Sequence, residues 1–314
     1  MPMLLESETA SELIQSPLNY TGGKFKLLPQ ILPLLPKNID IFVDLFCGGA
    51  NVGINVPSKS TILNDANDNL TLLFSMFKNL GNDFLSLLDE IIDKYGLSQS
   101  SKYGYDYYNC NSNTGLAPYN KNKFLKLRED FNKSKDIGYY HYAMLYTLIL
   151  YSFNNQIRFN SNGQFNLPVG KRDYNEKMRL KLQKFIDRLK EKEYKFSNLD
   201  FREFDISQLN SESFVYADPP YLITCATYNE QGGWGEQDEN DLLKFLDNLH
   251  NNNIKFALSN VLRSKGKENS ILINWVNKNS TKYRVINLNY DYNNSNYQTK
   301  NKDSVTEEVL IINY

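Results

Sequence analysis

Four consecutive residues, Asp218-Pro219-Pro220-Tyr221, combine the groups needed to hold an exocyclic amino group on a flat base. The Asp218 carboxylate and the Pro219 carbonyl both accept hydrogen bonds, and neither proline has an N–H to compete for them. Tyr221 adds an aromatic face for stacking. The apolar run 214–217 predicts a strand, and open α/β sheets bind ligands just outside the carboxyl ends of strands. The alternative is a strand end followed by a proline-rich turn without chemistry.

A glycine turn follows the first predicted strand, Ile39–Leu45, in the sequence Phe46-Cys47-Gly48-Gly49-Ala50. Glycines directly after a strand let the backbone approach a ligand closely. The spacing differs from the G-x-G-x-x-G of dinucleotide-binding proteins, which disfavours a nicotinamide cofactor. The alternative is a tight turn that binds nothing.

An acidic residue ends the second predicted strand, Thr61–Leu63, in the pair Asn64-Asp65. In doubly wound folds an acidic side chain in this position hydrogen-bonds ribose hydroxyls. The alternative is that Asp65 caps the helix that follows it.

A third motif, Tyr20-Thr21-Gly22-Gly23-Lys24, places a lysine after two glycines at the start of a predicted helix. Its ammonium group is suited to a ligand carboxylate. The spacing is not that of a phosphate-binding P-loop, which requires G-x-x-x-x-G-K-S/T.

The elements that must position these motifs fall into three zones. Residues 1–77 contain the first two strands and a helix, and residues 78–172 contain helix-like pieces around a polar stretch, 98–122, without strand–helix alternation. The alternation returns in residues 173–314. The pattern predicts an α/β domain built from both ends of the chain, with a mostly helical domain inserted between them.

The sequence of the last zone predicts several further helices and strands, because its apolar residues switch repeatedly between the helical and the extended spacing. The two closing strands are typical of an antiparallel hairpin added to a parallel sheet. With the helix of the first zone, the predicted elements are a helix at 67–78, a helix at 175–191, a strand at 213–217, a helix at 238–249, a strand at 254–259, a helix at 268–276 and strands at 283–290 and 305–312.

Composition limits the partners. The 314 residues carry a net charge of -1, so nucleic-acid binding must rest on local basic patches and not on a global field. Three cysteines (Cys47, Cys110, Cys225) are far apart and odd in number, which predicts neither a disulfide framework nor a zinc site and fits a reducing cytoplasm. No metal site is predicted.

Targeting and membrane segments are not predicted either. The first residues carry Glu6, Glu8 and Glu12 without an apolar core, unlike a secretory signal peptide. The stretch nearest to a membrane span, 139–151, is short and rich in tyrosine. We therefore expect a cytoplasmic protein without a membrane partner.

Together the motifs resemble those of the DNA adenine-N6 methyltransferases of the Dam family, in their alpha-class order. The segment 20–24 resembles the family's N-terminal motif, 44–50 its Phe-x-Gly-x-Gly cofactor motif, 64–67 its acidic second motif and 218–221 its catalytic motif. The resemblance covers nearly the whole chain in consistent order. Ala50 departs from the pattern, because the family usually has a second glycine there.

The resemblance implies a Rossmann-like sheet that binds S-adenosyl-L-methionine and transfers its methyl group to the N6 amino group of adenine in double-stranded DNA. That atom is inaccessible in a stacked duplex, so the adenine must flip out and stack on Tyr221. Asp218 and the Pro219 carbonyl, in the motif completed by Pro220 and Tyr221, would accept the amine hydrogens and aim the nitrogen lone pair. The residues implied in cofactor binding are Tyr20, Lys24, Phe46, Gly48, Asp65 and Asp218.

The segment 154–172 is the predicted DNA reader. It alternates, turns at Asn162-Gly163 and ends in two basic residues, which is typical of a β-hairpin. It also resembles the recognition hairpin of the family branch that methylates GATC in restriction–modification systems. That resemblance makes 78–172 the target-recognition domain and 1–77 and 173–314 the two parts of the catalytic domain. The implied DNA-binding residues are Asn154, Arg158, Pro168, Lys171 and Arg172.

Three alternatives to this function stay open. A cytosine-N4 methyltransferase would use the same fold but typically begins its catalytic motif with serine, and RNA- or protein-directed amino methyltransferases usually have asparagine there. A non-catalytic DNA-binding protein that has kept the fold is the third. The sequence does not fix the oligomeric state, or whether the chain serves restriction, a phage or a cell-cycle mark. A restriction role would imply a cognate endonuclease that acts on the same site.

Overall fold

The computed structural model describes residues 12–111, 113, 115–224, 233–289 and 306–314. Some features of the sequence therefore lie outside the described residues, namely Glu6, Glu8, Cys225 and the predicted strand ends at Tyr290 and Val305.

The strands are β1 (Ile41–Asp44), β2 (Ser60–Asn64), β3 (Glu193–Ser197), β4 (Phe214–Ala217), β5 (Lys255–Ser264), β6 (Lys267–Glu268), β7 (Arg284–Leu288) and β8 (Glu307–Ile312). Seven of them form one sheet in the order β3-β2-β1-β4-β5-β8-β7, and β6 pairs with β5. The first five in that order are parallel, whereas β8 is antiparallel to both β5 and β7. The sheet is therefore mixed and mostly parallel, consistent with a Rossmann-like methyltransferase fold.

The α-helices are α1 (Leu28–Ile31), α2 (Asp68–Leu80), α3 (Asn82–Tyr95), α4 (Ser100–Tyr103), α5 (Ala117–Lys133), α6 (Tyr139–Tyr151), α7 (Glu176–Lys190), α8 (Glu236–Asn251) and α9 (Ser270–Lys278). Short 3₁₀ helices lie at Lys24–Leu27, Leu32–Leu34, Asp106–Tyr108, Phe153–Asn155, Phe201–Glu203 and Ile206–Gln208.

Both faces of the sheet are covered, which explains why its central strands are continuously apolar. Successive side chains of a strand point to opposite faces. Phe42 and Phe214 accordingly pack in a core with α1, whereas Val43 and Val215 pack in a second core with α8 and α9. All four residues of β4 are buried.

The strand order reverses at β1. The chain moves outward from β1 through β2 to β3, then returns to place β4 and β5 on the other side of β1. Open α/β sheets bind their ligands at such a switch point, outside the carboxyl ends of the strands. The ends of β1, β2 and β4 carry three of the four motifs that the sequence singled out, and the fourth, 20–24, leads into the first 3₁₀ helix.

Six helices, α2 to α7, lie between β2 and β3 in the chain. Helix α6 is buried on all sides from Tyr142 to Tyr151, which explains its apolar, tyrosine-rich sequence. Phe77 of α2 contacts Phe84, Tyr146 and Phe185. Aromatic packing is therefore continuous across both predicted boundaries between the zones, after residues 77 and 172. In the part of the chain that is described, no helix is long and apolar enough to cross a membrane.

Most predicted elements of the sheet are confirmed, with ends shifted by a few residues. Strand β3 was not predicted, because its sequence Glu-Tyr-Lys-Phe-Ser is half polar and follows a helix without a turn residue. It forms an edge of the sheet and is only partly buried, so its sequence contains no continuous apolar run. The two closing strands pair with each other, and β8 lies between β5 and β7, inside the sheet.

Candidate active site

Asp218 follows β4 directly and stands at the switch point. Its Oδ1 accepts hydrogen bonds from Lys24 Nζ and from the Tyr221 hydroxyl, both at 2.9 Å. The side chain of Asp218 is 17% exposed and that of Lys24 is 5% exposed. Burial raises the pKa of Asp218, and the charge and hydrogen bonds of Lys24 and Tyr221 oppose the rise. The carboxyl group is thus held by two donors while part of it faces solvent.

Lys24 is the centre of the polar contacts around this carboxylate. Besides Asp218, its Nζ donates to the Gly22 carbonyl at 2.9 Å and lies 3.8 Å from Oε1 of Glu308. It also lies 5.0 Å from the centre of the Tyr221 ring. The sequence pointed to Lys24 as a ligand for a cofactor carboxylate, whereas in the structure its ammonium contacts the protein's own carboxylates. Glu308, a buried residue of β8, was not singled out by its sequence.

The turn after β1 needs glycine for two reasons. Gly48 has a φ of +48°, which glycine adopts without steric cost. A Cβ on Gly48 would lie 2.8 Å from Cδ1 of Tyr20, so the tyrosine ring packs directly on the bare backbone. Ala50 also has a positive φ, +58°. Alanine in this conformation is strained by about 1–2 kcal/mol, which gives a physical reason for glycine at the matching position of the family motif.

Asp65 ties the end of β2 to this turn. Its Oδ2 accepts a hydrogen bond from the Gly48 N–H at 2.8 Å, and its Oδ1 accepts one from the Asn67 N–H at 2.9 Å. Burial raises the pKa of Asp65, and these two backbone bonds lower it. The cap of α2 is Asn67, whose side chain accepts from the Asn69 N–H. Asp65 is therefore not the helix cap, and the alternative reading of this residue is wrong.

A third carboxyl group, Asp44, was missed as a site residue. It ends β1, is only 2% exposed, and its Oδ2 accepts a hydrogen bond from the Gly53 N–H at 2.8 Å. Burial raises the pKa of Asp44 to about 8; the Gly53 bond opposes the rise, and the charges of Asp218 and Asp65 add to it. An acidic residue that ends an apolar strand was the available signal. Among the described residues, no three His, Cys, Asp or Glu side chains form a group suited to a metal ion.

The raised pKa of Asp44 predicts a pH-dependent stability. Between its ordinary value near 4 and about 8, the folded chain keeps a proton that the unfolded chain releases, so the free energy of unfolding falls as pH rises. Asp44→Asn keeps the acceptor for Gly53 but cannot titrate. From pH 6 to pH 7 the parent should lose up to about 1.4 kcal/mol relative to this variant in denaturant unfolding. Parallel stability curves for the two proteins would contradict the buried, protonated Asp44.

An aromatic cluster adjoins the turn after β1. Phe46 lies 5.5 Å from Phe201 and 5.7 Å from Trp234, measured between ring centres. Phe201 and Trp234 lie 5.8 Å apart. Phe46 was expected in the cofactor pocket from the sequence. Its two partners were not, because one follows the unpredicted strand β3 and the other lies in no motif.

The predicted recognition hairpin, residues 154–172, folds back on itself without forming strands. One isolated antiparallel bridge, Phe159↔Phe165, joins its two arms, and a second, Ser152↔Val169, joins its second arm to the residue directly after α6. Extended pairing is interrupted at its start, because Asn154 and Asn155 have φ values of +58° and +53°. The antiparallel course and the turn near Asn162-Gly163 are as predicted, but the two arms do not pair continuously as strands.

Helix α5 holds this segment in place. Asn132 exchanges two hydrogen bonds with the backbone of Phe165, at 2.9 and 3.1 Å, and Arg128 Nη1 donates to the Leu167 carbonyl at 3.0 Å. Phe165 and Leu167 are buried. The apolar side chains of the segment thus anchor it, and its polar side chains are left at the surface.

All five predicted DNA-binding residues are exposed. Arg158 lies across the fold-back, where its Nε donates to Asn166 Oδ1 at 2.7 Å and its Nη2 to the Asn166 carbonyl at 3.3 Å. The segment is joined to the residue before the N-terminal motif (20–24), because the Asn19 side-chain amide donates to the Asn154 carbonyl at 2.7 Å. The exposed set is Asn154, Arg158, Pro168, Lys171 and Arg172.

The strand order defines a Rossmann-like α/β protein in which the acidic side chains of Asp44, Asp65 and Asp218 stand at or just after the carboxyl ends of β1, β2 and β4, beside the switch point. The chain belongs to the family described as D12 class N6 adenine-specific DNA methyltransferase, whose model matches residues 20–293. This result confirms the resemblance to Dam-like adenine methyltransferases that the motifs indicated.

Several curated proteins are similar to the chain. It is 40% identical over 316 residues to Modification methylase StsI of Streptococcus sanguinis and 41% identical over 308 residues to Type II methyltransferase M.FokI of Planomicrobium okeanokoites. These matches cover 98% and 96% of this chain but 44% and 43% of the relatives, so the chain spans less than half of their length. A DNA adenine methylase of Escherichia coli K12 is 27% identical over 212 residues, 68% of this chain and 66% of that protein.

Proposed function

We propose that this chain transfers a methyl group from S-adenosyl-L-methionine to the N6 amino group of a flipped adenine at a specific site in double-stranded DNA. The observation that carries the proposal is the position of Asp218 at the carboxyl end of β4, beside the switch point, in a chain of the adenine-specific family. The names of the relatives, which include modification methylases and adenine methylases, support the same activity.

The residues at the switch point suit a cationic nucleoside cofactor. Asp65 supplies an acceptor for ribose hydroxyls, Phe46 an aromatic surface for a nucleobase, and Asp218 a carboxylate for the methionine amino group. The lack of a side chain at Gly48 lets the Tyr20 ring pack on the turn, which places this aromatic residue beside the end of β1. When bound, S-adenosyl-L-methionine supplies the electrophilic methyl group.

The chain's own residues then act on the adenine amine, a poor nucleophile because its lone pair is delocalised into the ring. We assign the two amine hydrogens to Asp218 and to the Pro219 carbonyl, which together favour a pyramidal nitrogen and direct its lone pair. Among the described residues, the donors Lys24 and Tyr221 both contact Oδ1 of Asp218, so Oδ2 is the oxygen we assign to the amine. The rate gain would come mainly from this positioning.

Tyr221 is the ring that we assign to the flipped base. Its hydroxyl bond to Asp218 fixes the ring next to the catalytic carboxylate. Base–aromatic stacking then offsets part of the cost of removing the adenine from the duplex. We further propose a target-recognition domain at 78–172 and a divided catalytic domain at 1–77 and 173–314.

The exposed segment at 154–172 is the proposed DNA reader. Arg158 can offer two donors to a guanine in the major groove, and the contact with Asn166 limits the orientations of its guanidinium. Lys171 and Arg172 are suited to phosphates. We propose a cytoplasmic enzyme of a restriction–modification system, with a cognate endonuclease acting on the same site.

Two substitutions separate the recognition of a specific base from the general electrostatic attraction to DNA. Arg158→Ala should reduce discrimination at one base pair by roughly 1–3 kcal/mol, because a bidentate guanine contact is lost. Lys171→Ala is the matched control, since it removes an exposed cation and should weaken binding evenly across sequences and reduce its salt dependence. The measurement is duplex binding with single base-pair changes at several salt concentrations. Equal profiles for the two variants would exclude Arg158 as the reader.

The target sequence is the finest part of the proposal. Resemblance in the reader segment predicts GATC, although overall identity is higher to the StsI and FokI modification methylases than to the adenine methylase of Escherichia coli. DNA from an expressing host without methylation of its own should resist a GATC nuclease that adenine methylation blocks. Full cutting by an active preparation would contradict GATC and leave adenine methylation standing.

A further inference from the structure

Glu239 of α8 is a carboxylate with 0% of its surface exposed. Its Oε2 accepts a hydrogen bond from the Trp234 indole Nε1 at 2.7 Å. Its Oε1 accepts hydrogen bonds from the side-chain amides of Asn269 at 2.7 Å and Asn260 at 3.3 Å. A carboxylate is unfavourable in a buried site unless donors of this kind satisfy it. These three hydrogen bonds therefore tie the side chains of Trp234, Asn260 and Asn269 to one buried carboxylate.

Trp234 connects Glu239 to the candidate site, since it bonds to Glu239 and packs on Phe46. Its ring meets Phe46 nearly edge-on, at 5.7 Å and 78° between the ring planes, and it lies 5.8 Å from Phe201. We call these three side chains the aromatic wall. Phe46 lies two residues after β1, and Phe201 is also packed on Phe46. The wall thus adjoins the turn that contains Gly48 and the carboxylate of Asp65.

A hydrogen-bonded indole has one favoured orientation in such a cluster, whereas a ring without that bond can rotate. The wall is apolar and adjoins the acceptor that we assign to ribose hydroxyls. A nucleoside fits that pairing, because its base is flat and apolar on its faces and its sugar is polar.

We propose that Glu239 is a positioning residue for cofactor binding. It fixes the Trp234 indole so that the rings of the aromatic wall keep one arrangement toward the nucleobase of S-adenosyl-L-methionine. The inference rests on the proposed function, since it concerns the cofactor of that same site.

The two tryptophans of the chain make a direct test possible. In a Trp275→Phe background, Trp234 is the only fluorescent indole, and its emission should change when S-adenosyl-L-homocysteine binds. Glu239→Gln, which keeps the size of the side chain but loses one acceptor, should raise the dissociation constant about 3- to 10-fold. Glu236→Gln is the matched control, because it makes the same change at an exposed position of the same helix and should leave the constant unaltered.

A double-mutant cycle tests whether Glu239 acts through Trp234. Trp234→Phe keeps a ring but removes the N–H, so it should itself raise the dissociation constant measured by calorimetry. Adding Glu239→Gln to it should then have little further effect. Independent, additive losses would overturn the inference, as would a Glu239→Gln variant that melts at a lower temperature but binds S-adenosyl-L-homocysteine like the parent. A parent that does not bind this ligand would instead overturn the proposed function.

Discussion

Asp218→Ala is expected to lower methyl transfer by roughly 10²- to 10³-fold or more, since it removes an acceptor whose hydrogen bond strengthens as the amine rehybridises. Binding of duplex DNA should largely survive, because one carboxylate is a small part of that interface. The fold should also survive, since Lys24 keeps a second carboxylate, Glu308, at 3.8 Å. The measurement is single-turnover methyl transfer with labelled S-adenosyl-L-methionine.

Asp187→Ala is the control for this experiment, because it removes an exposed aspartate from α7, far along the chain from the motif. It should transfer methyl groups at the parental rate. An Asp218→Ala variant within a few-fold of the parent would show that Asp218 is not a catalytic residue.

Asp65→Ala is expected to weaken binding of S-adenosyl-L-methionine by roughly 1–3 kcal/mol, the typical value of hydrogen bonds to a charged group. Two effects combine in this loss. The variant lacks the acceptor that we assign to the ribose, and it also releases the Gly48 N–H that Asp65 holds at 2.8 Å. Calorimetry with the cofactor gives the loss directly, and DNA affinity without cofactor should change little.

Asn67→Ala separates cofactor binding from folding. It removes the cap of α2 and should reduce the free energy of unfolding by about 1 kcal/mol while leaving cofactor affinity nearly intact. Asp65→Ala should show the larger loss in affinity. If both variants lost cofactor and stability in proportion, Asp65 would be only a structural residue.

The sequence predicted the parts of the fold in which burial dictates the residue type. Strand β4 is buried on both faces and reads as an unbroken apolar run, and α2 shows its buried face through Leu70, Leu73, Phe74 and Phe77. Strand β3 escaped prediction because an edge strand needs no such run. The segment 154–172 alternates like a hairpin. Its observed course depends also on Asn154 and Asn155, whose backbone is in the left-handed region, and on hydrogen bonds with side chains of α5.

The candidate site was predictable where a motif concentrates its chemistry in adjacent residues. Asp218 and Tyr221 are neighbours in sequence and bond to each other. Glu308, Trp234 and Glu239 were missed because they reach the site from distant segments, and nothing in their local sequence marks them. Asp44 belongs to the motif 44–50, but its raised pKa depends on burial that only the folded chain creates.

The identity of the methylated base tests the proposed function most directly. Purified chain, labelled S-adenosyl-L-methionine and unmethylated duplex DNA are incubated, and the DNA is digested to nucleosides and analysed by mass spectrometry. The proposed function predicts N6-methyladenine as the labelled product, and its loss with Asp218→Ala. Label on cytosine N4, or no label from a chain that binds both cofactor and DNA, would contradict it.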